Sequence, residues 1–208
     1  MIYVKICGIT NLADALAAVD AGADVLGFNF YRPSPRYIEP KYAREIIDQL
    51  PATVLTAGVF VNEPSPNEVE RIANEAGVAA LQLHGDESPD YCVALKNRFV
   101  IKVFGVHEKF APEETAAYDV AAIMLDAFDR KAWGGTGRVI DWSIARQTRE
   151  FVPKLFLSGG LSPENVAAAI ETVDPYAVDA CSSLEYSPGR KDPARVRAFV
   201  AAVREARR

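Results

Sequence analysis

The chain has 208 residues, half of them apolar (50%) and a quarter charged (25%), the balance of one soluble globular domain; it excludes disorder, which needs low hydrophobicity with high net charge. No apolar run approaches the roughly 18 residues of a membrane span, and the opening MIYVKICGIT lacks the basic segment and long apolar stretch of a signal peptide. Lys plus Arg is 23 and Asp plus Glu is 28, a net charge of −5, which argues against a general nucleic-acid binder but leaves room for a small anionic ligand held by local donors.

In chain order, short apolar runs alternate with helical periodicity. The runs cover 2–6, 24–30, 53–60, 79–83, 99–104, 121–125, 154–158 and 177–180. Each is too brief for a helix, and their nearly continuous apolar character predicts parallel strands covered by helices. Between and after them, apolar residues recur at i, i+3, i+4, i+7: Leu12/Ala15/Leu16/Val19, Ala43/Ile46/Ile47/Leu50, Val69/Ile72/Ala73/Ala76, Val166/Ala169/Ile170/Val173 and Val196/Phe199/Val200/Val203. Each set puts one apolar stripe on a surface helix. Ser65-Pro66-Asn67-Glu68 marks a start, with an N-cap serine, a proline at the first helical position and a capping-box glutamate. Ser88-Pro89, Ser162-Pro163 and Asp192-Pro193 repeat the cap-then-proline arrangement.

Strand and helix alternate throughout, so the class is α/β. Eight units of about 26 residues fit the lower end of the (β/α)₈ TIM barrel. An open doubly wound sheet is the structural alternative, but KICGITN after the first strand is not its GxGxxG fingerprint. No stretch reads as a linker, so residues 1–208 are expected to form a single domain. The sixth unit is irregular: the Gly-rich segment 133–142 stands where a helix should begin promptly, and long loops in compact domains are often functional.

In a barrel, catalytic side chains gather at the C-terminal ends of the strands. Those ends read Cys7, Asn29 with Arg32 and Arg36 beyond it, Asn62, His84, a weak fifth end near Lys102, Asp126, Ser158-Gly159-Gly160, and Asp179 to Ser183. Gly159 and Gly160, between a strand and a helix, let backbone N–H groups approach an anion with no Cβ in the way. Ser182 and Ser183 add hydroxyls and further amides after the last strand, and loops seven and eight are the usual phosphate site of this fold. The other candidates each carry two readings. Cys7 is a buried small hydrophobe or, given nearby donors, a functional thiolate. Asp126 caps a turn or faces the barrel mouth. Arg36 is a solvated loop cation or grips a ligand carboxylate with its planar fork. His84 is a proton donor or a structural hydrogen-bonder, and His107 and Cys92 read as structural. Three widely spaced cysteines, no CxxC and two histidines predict neither a disulfide framework nor a metal site, and a reduced, cytoplasmic setting.

Taken together, VKICGIT (4–10), GFNFYRPSPRYI (27–38), GVFVN (58–62), LQLHGDE (81–87), LDAF (125–128), GGTGRVIDW (134–142), LSGGLSPENV (157–166) and PGRKD (188–192) resemble, in order and spacing, the phosphoribosylanthranilate isomerases of tryptophan biosynthesis. The resemblance implies an Amadori rearrangement of N-(5-phosphoribosyl)anthranilate to 1-(2-carboxyphenylamino)-1-deoxyribulose 5-phosphate. By the same resemblance Cys7 matches the general base and Asp126 the general acid. Arg36 matches the contact to the anthranilate carboxylate, and Gly159, Gly160, Ser182 and Ser183 match the phosphate grip. A small phosphorylated substrate is implied, with no cofactor, nucleic acid or membrane, and with a monomer or a homodimer both open. The chain departs from the family run D-V-S-S-G-V-E at the eighth strand, with Cys181 where a serine and Ser183 where a glycine is expected. The histidine-pathway isomerase of the same chemistry would carry an aspartate at Cys7, and indole-glycerol-phosphate synthase would carry lysines at strand ends. A catalytically inactive barrel that merely binds phosphorylated ligands is the reading from another class; Cys7 and Asp126 together argue against it.

Overall fold

Each apolar run of the sequence becomes one stave of a closed barrel. The computed structural model describes residues 1–127 and 139–206. In chain order the staves are β1 (Tyr3–Ile6), β2 (Val25–Asn29), β3 (Leu55–Phe60), β4 (Ala80–Leu83), β5 (Phe99–Val106), β6 (Ala122–Ala127), β7 (Leu155–Leu157) and β8 (Ala177–Ala180). All pair in parallel with their sequence neighbours, and β1 closes the ring on β8 with Tyr3, Val4, Lys5 and Ile6 opposite Ala177, Val178, Asp179 and Ala180. This is the (β/α)₈ architecture, with active chemistry expected at the C-terminal rim.

The helices are α1 (Leu12–Ala21), α2 (Pro40–Ile47), α3 (Pro66–Ala76), α4 (Pro89–Val93), α5 (Trp142–Thr148), α6 (Val166–Val173) and α7 (Pro193–Glu205). Ser65, Ser88 and Asp192 cap α3, α4 and α7 through their side chains, satisfying N–H groups that a helix leaves without partners. Ser162 differs from expectation. Its hydroxyl accepts from the Glu164 N–H in a turn ahead of α6, whose N-cap is Asn165. The fifth unit carries a 3₁₀ helix, Pro112–Ala117, in place of an α-helix. Residues 133–138 of the Gly-rich segment lie outside the described residues, and α5 begins at Trp142 behind its cap Asp141.

Strand alternation sorts the side chains. Val4, Ile6, Leu26, Phe28, Phe60, Leu81, Leu83, Leu125 and Val178 pack outward in one cluster with the apolar helix stripes. The opposite face supplies two smaller clusters: Ile101, Val103, Met124 and Phe156 with neighbours, and Val25, Ala57 and Ala80. Lys5, Gln82 and Asp179 share this interior alternation and are buried among them. A chain end is tied down as well: Arg204 of α7 donates to the carbonyls of Ile2 and Gly22 and pairs with Asp24.

After β8 the chain makes a 3₁₀ turn, Ser182–Leu184, and then a small hairpin of β9 (Glu185–Ser187) and β10 (Arg190–Lys191), turned by Gly189 at φ +76°. The hairpin folds back beside the mouth and returns two charged side chains, Glu185 and Lys191, to it.

Candidate active site

The floor of the mouth is an ion pair. Lys5 Nζ donates to Asp179 Oδ1 at 2.8 Å between neighbouring strands, and the lysine is fully buried. Burial works against the Lys5 ammonium, yet Asp179 and Cys7 outweigh it and hold its pKa above the ordinary lysine value. Burial pushes the Asp179 carboxyl up to about 6, with Lys5 opposing and Cys7 and Asp126 adding to the rise. Ser158, at the end of β7, donates to Asp179 Oδ2 at 3.3 Å.

One rung above stand Cys7 and Cys181. The ladder continues past the strand ends, since the Cys7 N–H donates to the Ala180 carbonyl at 3.0 Å. Cys7 is held well below the ordinary thiol pKa. The Cys181 thiol donating to it is the chief cause, burial opposes, and Lys5 and Lys191 add to the fall. Cys181 moves the opposite way, because it shares its proton with Cys7 and is partly shielded from water, although Lys191 and Arg36 pull against that. Space at Cys7 depends on Gly27: a Cβ there would sit 2.8 Å from Cys7 Sγ and 3.1 Å from Lys5 Nζ. The same distances place the ammonium close beneath the sulfur. Cys7 thus has the nearby donors that its second reading requires.

Across the mouth, Asp126 lies inside β6, which continues two residues beyond the predicted run. Its Oδ1 accepts from the Ala127 N–H at 2.8 Å, and its Oδ2 lies 3.3 Å from His84 Nε2. Gln82 Nε2 is 3.2 Å from His84 Nδ1, so each ring nitrogen has a polar neighbour. His84 is thus a hydrogen-bonder whose partner is the candidate acid.

Arg36 is neither solvated nor open on all sides. Its Nε and Nη2 form a fork on Glu185, with Nη2–Oε2 at 2.8 Å, and Lys191 Nζ holds the same carboxylate at 2.8 Å. Burial raises Glu185, but Arg36 and Lys191 prevail and its pKa falls below the usual value. Lys191 also donates to the Cys181 carbonyl at 3.2 Å and lies 3.8 Å from its sulfur.

The seventh and eighth loops meet. Gly159 and Gly160 have φ of +83° and +66°, a backbone that favours glycine. A Cβ on Gly159 would stand 2.7 Å from Ile140 and 2.9 Å from the Ala127 nitrogen. Asn165 Nδ2 donates to the Gly160 carbonyl, and Arg195 Nε donates to the Ser183 carbonyl at 2.6 Å. Ser183 keeps out of the left-handed region, and its hydroxyl donates to the Leu161 carbonyl, which joins the two loops and leaves its N–H as the group it can offer an anion.

Two other rim residues take structural parts. Lys102 lies within β5, which runs on to Val106, and its ammonium donates to the Gly85 carbonyl and to Glu87. Glu87 in turn accepts from the N–H groups of Asn62 and Gly85. These contacts lock the third and fourth loops together. A groove of about 520 Å³ beside α3, walled by Arg32, Tyr37, Glu63 and Arg71, includes none of Cys7, Arg36, Asp126, Gly159, Gly160, Ser182 and Ser183.

Of the proposed site, the structure brings Cys7, Asp126 and Arg36 to one mouth, with Gly159-Gly160 and Ser182-Ser183 on its far edge. Lys5, Asp179, Cys181, Glu185 and Lys191 complete it and were not assigned roles from sequence. Two of them carried a signal there: Lys5 in IYVKI and Asp179 in AVDA are charges in the middle of apolar strand runs, and such charges are buried only when paired.

The family model, the curated relatives and the solved structures of higher identity agree on one family. A family model described as N-(5'phosphoribosyl)anthranilate (PRA) isomerase matches residues 4–202. The N-(5'-phosphoribosyl)anthranilate isomerase of Geobacter sulfurreducens is 50% identical over 200 residues, covering 96% of this chain and 97% of that protein. The crystal structure of phosphoribosyl anthranilate isomerase from Thermotoga maritima superposes with a TM-score of 0.92 at 42% identity, covering 99% of this chain and 100% of the other. A crystal structure of the isomerase in complex with reduced 1-(o-carboxyphenylamino)-1-deoxyribulose 5-phosphate superposes with a TM-score of 0.88 at 42% identity, with coverage of 99% and 100%.

Proposed function

The chain belongs to the N-(5'-phosphoribosyl)anthranilate isomerase family, and from that membership we propose that it converts N-(5-phosphoribosyl)anthranilate to 1-(2-carboxyphenylamino)-1-deoxyribulose 5-phosphate with Cys7 as general base and Asp126 as general acid. The observation that carries the assignment is a buried thiol at the end of β1, its pKa lowered by Cys181, Lys5 and Lys191, across the mouth from a carboxyl that meets His84. Asp126 protonates the ribose ring oxygen, and the ring opens to a Schiff base. The Cys7 thiolate then removes the C2′ proton, and the resulting enolamine tautomerises to the ketone. One donor and one acceptor suffice, each within hydrogen-bond reach of its atom.

The two ends of the substrate fix the sugar between these groups. Its phosphate is assigned to the N–H groups of Gly159, Gly160, Ser182 and Ser183, and its anthranilate carboxylate to Arg36. Glu185 already occupies the Nε/Nη2 edge of that guanidinium, so the contact falls to Nη1. In this reading residues 1–208 are one domain acting in the cytoplasm, as a monomer or a homodimer, with no cofactor. No helix among the described residues is long and apolar enough to cross a membrane.

Turnover of the substrate by the purified chain, with rescue of a tryptophan-requiring strain that lacks the isomerase, tests the proposal. A folded chain that neither turns over nor rescues would make it an inactive barrel.

A further inference from the structure

The register between β1 and β8 sets two cysteines side by side at the mouth. Lys5 faces Asp179 across this pair of strands, and their side chains meet at 2.8 Å. Side chains two residues on project from the same face. The Cys7 N–H donates to the Ala180 carbonyl as the Tyr3 N–H donates to that of Tyr176, so Cys7 and Cys181 occupy the next rung on that face. Neighbouring strands run about 4.8 Å apart, within the roughly 4.4–6.8 Å between Cα atoms that a disulfide spans. Cys181 is half-buried and Cys7 is 8% exposed, both at the open end of the barrel. A Cβ on Gly8 would stand 2.9 Å from Cys181 Sγ, so that sulfur lies against the backbone that follows Cys7.

We propose that Cys7 and Cys181 form a dithiol that hydrogen peroxide closes into an intramolecular disulfide, and that a thiol reductant reopens it. In the first step the Cys7 sulfur attacks one peroxide oxygen. The S–O bond forms, the O–O bond breaks, and the departing hydroxide takes a proton and leaves as water. In the second, the Cys181 sulfur attacks the Cys7 sulfenic acid. The S–S bond forms, the S–O bond breaks, and the Cys181 proton leaves with the hydroxide as a second water. The two sulfurs together lose two electrons, and the peroxide gains them.

The surroundings fit the two roles. A thiolate is the species that peroxide oxidises, and Cys7 has three neighbours that favour it, Cys181, Lys5 and Lys191. Cys181 keeps its proton chiefly because of the sulfur beside it. Oxidation of Cys7 to a neutral sulfenic acid removes that negative charge, while Lys191 at 3.8 Å and the Arg36 guanidinium remain. Cys181 then becomes the nucleophile when one is needed. Cys92 serves as an internal control. It is fully buried in α4, and burial pushes its thiol up to about 11.

Disulfide formation is independent of the catalytic reading; its effect on turnover rests on the proposed role of Cys7. The folded wild-type chain is treated with hydrogen peroxide, then alkylated, digested without reductant and mapped by mass spectrometry. The expected product is a peptide containing Cys7 joined to one containing Cys181, at a mass lower by two hydrogens, with Cys92 unmodified. Isomerase activity should fall in proportion to the cross-linked fraction and return with dithiothreitol. In Cys181→Ser the cross-link should be absent, and peroxide should carry Cys7 to the sulfinic acid, which dithiothreitol does not reverse. A wild-type chain that goes to Cys7 sulfinic acid with no Cys7–Cys181 peptide overturns the inference, as does a cross-link through Cys92. A Cys7–Cys181 disulfide that leaves turnover intact would sustain the inference and overturn Cys7 as the base.

Discussion

Lys5→Met removes the cation beneath the mouth and keeps the volume of its stem. In the wild type the ammonium sits 2.8 Å from Asp179 Oδ1. At about 4 Å between charge centres and an effective dielectric near 20, that pairing contributes about 4 kcal/mol to holding Asp179 ionised. Losing it moves the Asp179 pKa upward from about 6, by roughly two to three pH units at 1.36 kcal/mol each. The sign follows from proton binding. A carboxyl whose folded-state pKa is raised binds protons that the unfolded chain has released, so stability falls as pH rises from the unfolded value to the folded one. For the wild type that fall ends near pH 6; for the variant it continues to pH 8. The stability lost on substitution should therefore grow by about 2–3 kcal/mol between pH 6 and pH 8, the cost of keeping one carboxyl protonated over those two units. Urea unfolding at both pH values measures it, and Lys5→Met combined with Asp179→Asn should abolish the growth.

The same substitution takes away one of the groups that favour the Cys7 thiolate. The pH midpoint for alkylation of Cys7 by iodoacetamide should rise, and the acid limb of kcat/KM should rise with it. A variant equally destabilised at pH 6 and pH 8, with an unmoved alkylation midpoint, would mean that Lys5 is merely packed beneath the site.

Cys7→Ala and Asp126→Asn should each lower kcat by at least ~10²-fold, the low end for general acid–base groups, with little change in the binding of a product analogue measured by calorimetry. Arg36→Met should raise KM and weaken product binding by roughly tenfold or more, as expected for a lost hydrogen bond to a charged group; an unchanged KM would return Arg36 to a purely structural partnership with Glu185. Ser183→Gly should shift KM by less than about tenfold, or roughly 1.4 kcal/mol, and leave kcat alone, because its hydroxyl is engaged with the Leu161 carbonyl. Gly159→Ala should cost about 1–3 kcal/mol in thermal or urea unfolding from backbone strain alone, with a higher KM, since the added methyl meets Ile140 and the Ala127 nitrogen.

The barrel was legible because its strands are apolar runs and its helices announce themselves. The 2–6 run, the Ser65 cap and the stripe through Val196 and Val203 each hold local information, and local information is what periodicity and caps read. The hairpin at Glu185–Ser187 and Arg190–Lys191 was not legible, since strands of three and two residues carry no period. With it went the fate of Arg36, whose partner lies 149 residues away in sequence. The second reading of Cys7 was undecidable for the same reason: its lowered pKa depends on Cys181 and Lys191, from the far end of the chain.

These long-range partners have one origin. Closure of a barrel joins the first strand to the last, and here the candidate base stands on that seam. Lys5 and Cys7 come from β1, while Asp179 and Cys181 come from β8 and the residue after it. Arg36 reaches the hairpin beyond β8 from the loop after β2. The surroundings that lower the Cys7 pKa therefore cannot be built from any contiguous fragment. They come together when the ring closes, and Arg204 of α7 bonds the Ile2 carbonyl just ahead of β1. The candidate acid is placed differently, within a β5–β6–β7 segment whose pairings are all between sequence neighbours. Loosening the β1–β8 seam should thus impair the candidate base before it disturbs the candidate acid, because Lys5, Cys181 and Lys191, which lower the Cys7 pKa, come from both ends of the chain.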